Sequence, residues 1–280
     1  MRGDDAASSL KHPIPEHTLQ LIFTVSNNSS LENSLESLIE TAKSHLLRNL
    51  CAGELSNQNS FLEHNGVAVV SDILRSEAAD CSKSSLGSNH GLVRWGLQVL
   101  ANVCLAGRDH QHAVWGELFP EGFVVLARVG NKEICDALCM VIYACRDGNP
   151  EWFRMLSSDG GWPLMVGILR TASSAGFGED WLKLLISRIC LEESQLPVLF
   201  PKLHRAEDTE LKDDRFSSEQ AFLLQILSEI LSERIEDATI SKDVALHVYG
   251  IFKKSIKALD HAVRAAALLK SMFLDILLLY

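Results

Sequence analysis

The sequence predicts an all-α chain built as a helical solenoid, and three observations predict it. Cys51, Cys104, Cys145 and Cys190 each sit at the end of an apolar frame with helical spacing. The intervals between these cysteines are 53, 41 and 45 residues. No stretch alternates polar and apolar residues long enough to demand a strand.

The frame is the strongest of the three. Five residues before the cysteines stand Leu46, Val99, Met140 and Leu185; four before stand Leu47, Leu100, Val141 and Ile186. One residue before stand Leu50, Val103, Ala144 and Ile189. All twelve are apolar, and offsets of one, four and five fall on one buried helical face. Periods of about 40–47 residues made of two or three helices are the mark of armadillo and HEAT arrays. The expected architecture is therefore an armadillo/HEAT-like α-solenoid superhelix.

Composition agrees. Of 280 residues, 47% are apolar and 22% charged, which excludes wholesale disorder. With 36 acidic and 26 basic side chains the net charge is −10, a sign that repels phosphate backbones. No basic patch relieves it, so nucleic acid is not an expected partner. Seven cysteines without a regular framework predict a reducing compartment and a cytoplasmic location. The apolar run Leu19–Val25 is far shorter than a bilayer, and Ala265–Tyr280 is interrupted by Lys270 and Asp275. No signal peptide and no membrane span are expected.

Taken in order, residues 1–17, with Pro13 and Pro15, read as a flexible tail, and 18–280 as the repeat array. After Cys51 come a polar turn, a short helix through Phe61, Gly66, and an apolar helix from Val67. After Cys104 the order repeats with Arg108–Gln111, Val114-Trp115, Gly122 and Phe123–Val129. Gln58 and Gln111 share the offset that separates Asn49 from Asn102. The third unit has Asn149-Pro150, then Trp152–Leu156, then Gly160-Gly161 and a helix from Trp162. Pro150 behind Asn149 fits a first helical position, as does Pro163; Gly66 and Gly122 fit the positive-φ residue that follows a helix. Loops are expected near 76–91 and 171–178, both rich in serine and glycine, and near 204–219, which is highly charged.

Leu46-Leu47-Arg48-Asn49-Leu50 and Val99-Leu100-Ala101-Asn102-Val103 resemble the third helix of an armadillo repeat, in which an apolar pair precedes an asparagine. The run Gly96–Asn102, then Val114-Trp115, then Leu118-Phe119-Pro120 is similar to the ataxin-10 family, and Leu196–Leu203 adds a second block. The resemblance covers roughly residues 31–205, with weaker matching to about 270. It implies a cytoplasmic adaptor without catalytic activity, linked to protein–protein contacts, self-association, cytokinesis and cell growth. The family pattern continues into a further armadillo domain with an Asn-Leu-Cys helix and a Gly-Ile-Pro turn. This sequence ends before it, which predicts a truncated or alternative product.

Candidate chemistry is sparse. Cys135 and Cys139 stand four apart on one helical face, as two zinc ligands would, but no second pair completes a four-ligand site. Buried packing is the expected role. His110 and His112 read as a polar turn. Phosphate-loop, dinucleotide, serine-elbow and zincin motifs are missing from the sequence, so no enzyme, cofactor or metal is expected.

The remaining candidate is a groove. In importin-like armadillo arrays the third-helix asparagine binds peptide backbone, and a tryptophan four residues earlier packs the peptide side chains. Asn49 and Asn102 hold the asparagine position, whereas His45 and Gln98 stand where tryptophan would. In the third and fourth units the asparagine gives way to Tyr143 and Ser187. His45, Asn49, Gln98 and Asn102 are the candidate partner-binding residues for other proteins. A nuclear-transport-type peptide adaptor is the alternative to a general scaffold, ahead of an enzyme with an unrecognised site. The alternative role for the two asparagines is to bond local backbone. The apolar end Ala265–Tyr280 is expected to drive self-association.

Overall fold

A computed structural model describes residues 46–81, 90–177, 181–193, 195–203 and 217–233, together with positions 246 and 250. Among them every regular element is helical and there is no strand. The chain divides into two compact units, Met1–Trp152 and Phe153–Tyr280.

In the first unit, residues 46–51 are helical and are followed by α1 (Leu55–Glu63), α2 (Gly66–Cys81) and α3 (His90–Cys104). Then come α4 (Arg108–Leu118), α5 (Glu121–Ala127) and α6 (Lys132–Ala144). The frame spacing explains the packing. Leu92, Val93, Leu97, Val99, Leu100, Val103 and Cys104 of α3 are all buried, too wide a face for one neighbour. Accordingly α3 lies between α2 on one side and α6 on the other. On α6, Ile134, Leu138, Val141, Ile142 and the following Cys145 are at most 1% exposed. Asn131 starts that helix: its Oδ1 accepts the Ile134 N–H at 3.1 Å.

The second unit holds α7 (Trp152–Ser157, which begins at the boundary), α8 (Trp162–Ala175) and α9 (Trp181–Ile186). The last of these runs directly into a π-helical segment, Ser187–Glu192. Next come α10 (Leu196–Lys202) and α11 (Ser218–Glu233). Helix α11 packs on α8 and α9 through Leu223, Leu224, Ile226 and Leu227, and α10 packs on the π segment.

Several local expectations change. Of the stretch 76–91 read as a loop, 76–81 belong to α2 and 90–91 to α3, while 82–89 lie outside the described residues. Ala78 extends the buried stripe of Val67, Val70 and Leu74 by one turn, and this packing outweighs the serine content. Likewise Thr171–Ala175 complete α8, with Thr171 and Ala172 buried and Ser174 Oγ donating to the Arg170 carbonyl at 2.9 Å. Gly66 and Gly122 do not take positive φ; they lie within α2 and α5. The left-handed residue after α1 is Asn65, at φ 57°. Gly66 is needed for space, since a Cβ there would come within 2.8 Å of the Phe61 ring. Pro150 precedes rather than starts α7, whose first residue is Trp152, because the Asn149 side chain is bonded back to Cys145. Pro163 does sit at the start of α8. The tail 1–17, most of the 204–219 stretch and the apolar C-terminal end lie outside the described residues.

Candidate protein-binding face

The four marker cysteines are 0–1% exposed, as a repeat frame requires. Two of them meet: Cys104 Sγ lies 3.6 Å from Cys145 Sγ, so the α3 and α6 frames stack at equivalent positions. The same turns share a polar device. The carbonyls closing a helix have no partner within it. Gln111 Nε2 donates to the Cys104 carbonyl at 3.1 Å, and Gln58 Nε2 donates to the Cys51 carbonyl at 2.8 Å. Each glutamine stands seven residues after its cysteine. After the third marker Asn149 Nδ2 serves the Cys145 carbonyl at 2.9 Å.

All seven cysteines are thiols. Burial pushes the Cys51 and Cys190 thiols up to about 12. The bond from Cys104 and then burial raise Cys145 well above the ordinary thiol range; the bond from Cys135 and then burial do the same for Cys139. Cys135 and Cys139 are both buried in α6 and serve as packing. Among the described residues no group of three or more His, Cys, Asp or Glu could hold a metal ion. His110 is buried on α4, and His112 bonds Asn149 Oδ1 at 3.2 Å, so the two histidines do not converge.

Three of the four groove residues gather around an arginine that the sequence reasoning passed over. Arg48 Nη1 donates to Gln98 Oε1 at 3.1 Å, while its Nε and Nη2 donate to Asn49 Oδ1 at 3.2 and 3.0 Å. Asn102 Nδ2 donates to the Arg48 carbonyl at 2.9 Å, and the Asn102 carbonyl accepts from Gln58 at 2.8 Å. Asn102 therefore ties α3 to the preceding marked helix, while Asn49 is exposed and Gln98 half-buried. His45 lies outside the described residues. The available signal for Arg48 was its place beside Asn49 in a frame that lacks tryptophan.

The later positions differ. Tyr143 carries the Arg146 guanidinium over its ring at 4.3 Å, a cation–π contact. At the fourth marker the residue two before the cysteine is Arg188, not Ser187. Ser187 is 1% exposed and belongs to the core. Arg188 pairs with Glu192 at 2.5 Å and Glu193 at 2.7 Å.

The chain is similar to ataxin-10 of Homo sapiens, at 30% identity over 189 residues. The match covers 66% of this chain and 38% of that protein. Ataxin-10 of Pongo abelii and of Macaca fascicularis match with the same identity and coverage. No protein-family profile matches, and no solved structure matches. Among the described residues no helix is long and apolar enough to cross a membrane. The chain thus spans 38% of the length of the curated relatives it matches, and it bears an ataxin-10-like relationship to them.

Proposed function

We propose that the chain is a non-enzymatic armadillo-like scaffold that binds other proteins along the third-helix face of its repeats. The carrying observation is the Cys104–Cys145 contact, in which two marked helices stack with Gln98 and Tyr143 partly accessible, and the Asn102–Arg48 bond, which ties the helical stretch with the exposed Asn49 to the same helix. The similarity to ataxin-10 supports an adaptor role, and a cytoplasmic part in cytokinesis and cell growth belongs to the same proposal. A nuclear-transport-type groove for basic peptides is the weaker alternative, because Arg48 places a guanidinium where such a peptide would bring its own.

A pull-down with the immobilised full chain, compared with the Asn49→Ala/Gln98→Ala variant, tests the scaffold role. Asn102 is left intact because its side chain holds the Arg48 carbonyl. The expected result is a set of proteins retained by the chain and lost with the variant. Retention no greater than bare resin would contradict it. Self-association through 265–280, a segment outside the described residues, is checked by sedimentation of the full chain, with concentration-dependent dimers expected and a monomer contradicting it.

A further inference from the structure

The polar cluster on the third-helix face is asymmetric in what it offers a ligand. Asn49 Oδ1 and Gln98 Oε1, the two carboxamide acceptors beside Arg48, are both turned onto its guanidinium. What these bonds leave unused is mostly donors: Asn49 Nδ2, Gln98 Nε2, and two of the five Arg48 N–H groups, since three are used, against the Asn102 Oδ1 acceptor. Both partners are neutral, so the charge on Arg48 is not compensated by a carboxylate among the described residues. That separates it from Arg188, whose charge Glu192 and Glu193 neutralise.

A second arginine extends the field. Arg94 stands one turn before Gln98, and Arg94, Gln98 and Asn102 follow one another at intervals of four along one face of α3. All three are partly accessible. No hydrogen bond or ion pair occupies Arg94 among the described residues. A surface with two guanidiniums uncompensated among the described residues, and with the Asn49 and Gln98 N–H groups beside one of them, fits a planar anionic acceptor, and a carboxylate takes two parallel N–H bonds from such a group.

We infer that this face of the first unit is a docking site for an acidic peptide segment of a partner protein, with a Glu or Asp carboxylate seated on Arg48 between Asn49 and Gln98. The inference rests on the scaffold function proposed above and narrows its partner class. Arg94 would meet a further acidic side chain along the segment. Such selectivity opposes the basic-peptide groove of nuclear-transport adaptors, and it operates locally although the chain as a whole carries −10.

The test is fluorescence anisotropy of the full chain with three labelled peptides of one length, a Glu/Ser, a Gln/Ser and a Lys/Ser peptide. The Glu/Ser peptide should bind about tenfold or more tightly than the Gln/Ser peptide, with the Lys/Ser peptide weakest. Arg48→Gln should weaken the Glu/Ser peptide about tenfold, and Arg94→Gln less, with the helical circular dichroism and melting temperature of each variant unchanged. Arg128→Gln, on an exposed arginine after α5, should leave binding as it was. Equal binding of the three peptides, preference for the Lys/Ser peptide, or indifference to Arg48→Gln would overturn the inference. Absence of binding by all three would overturn it too. The scaffold function fails separately, when the pull-down retains no protein at all.

Discussion

The two units use the same apolar frame but a different balance of polar fastenings. In the first, neutral carboxamides bridge turns: Gln58 bonds the Cys51 and Asn102 carbonyls, Gln111 bonds Cys104, and Asn149 bonds Cys145. In the second, Gln220 Nε2 does the same for the Phe200 carbonyl at 2.8 Å, but charges join more of the helices, as Arg75 and Glu117 do at 3.9 Å in the first. Arg170 donates to Glu219 at 2.8 and 2.9 Å, Lys183 approaches Glu229 at 3.7 Å, and Lys202 meets Asp159 at 2.8 Å. Carboxamide bonds to buried carbonyls do not titrate, whereas part-exposed ion pairs weaken with acid and salt. The frame sets the fold in both units, and the fastenings set how each responds to conditions.

The largest effect should be common to both. Leu100 and Ile186 hold the same frame position and are 0% exposed. Leu100→Ala and Ile186→Ala should each cost about 2–5 kcal/mol in denaturant titrations. A loss below about half a kcal/mol at either would break the shared frame. Gln58→Ala should affect the first unit, because it takes the donor from the Cys51 carbonyl and one of two donors from the Asn102 carbonyl, which keeps the Leu105 N–H. It should cost about 1–3 kcal/mol, and Gln58→Glu should not restore the loss, since a carboxylate cannot donate.

Acid should affect the second unit. For Glu219, burial alone would raise the carboxyl, but the Ser218 hydroxyl, its own N–H and Arg170 outweigh it and hold it below the usual range. The Lys202 ammonium lowers Asp159 in the same direction. Groups lowered in the folded state contribute stability above the ordinary carboxyl pKa of about 4, and lose it as pH falls through their lowered values. Hydrogen exchange, corrected for its intrinsic pH dependence, should show α8 and α11 loosening below about pH 4 before α3 and α6 do. The reverse order would contradict the comparison. The smallest effect is on reactivity: Cys81, partly accessible at the end of α2, should label ahead of Cys51, Cys104, Cys145 and Cys190, as peptide mapping after brief native labelling would show.

How much was legible follows the same division. The helices and their buried faces could be read from the apolar spacing at Cys104 and Cys145, because regular α-helices keep that spacing in register. The apolar frame at Cys190 is equally buried, although its helix turns π at Ser187–Glu192, and counting two back from Cys190 gives Arg188 and not Ser187 as the asparagine-equivalent position. Sequence alone does not distinguish a glycine needed for φ from one needed for space, and Gly66 is needed to clear the Phe61 ring. The site was half legible. Asn49, Gln98 and Asn102 stood out by position, but the guanidinium that organises them did not, since an arginine on a helix surface is ordinary until its acceptors are seen.

The central claim is that consecutive marked helices stack in register, so that Cys104 and Cys145 touch although 41 residues separate them. A double-mutant cycle of Cys104→Ala and Cys145→Ala, read by equilibrium unfolding, tests it most directly. Contacting side chains should give a coupling of about 0.5 kcal/mol or more between the two changes. Strict additivity, within about 0.3 kcal/mol, would place the two thiols apart and contradict the proposed stacked-repeat architecture.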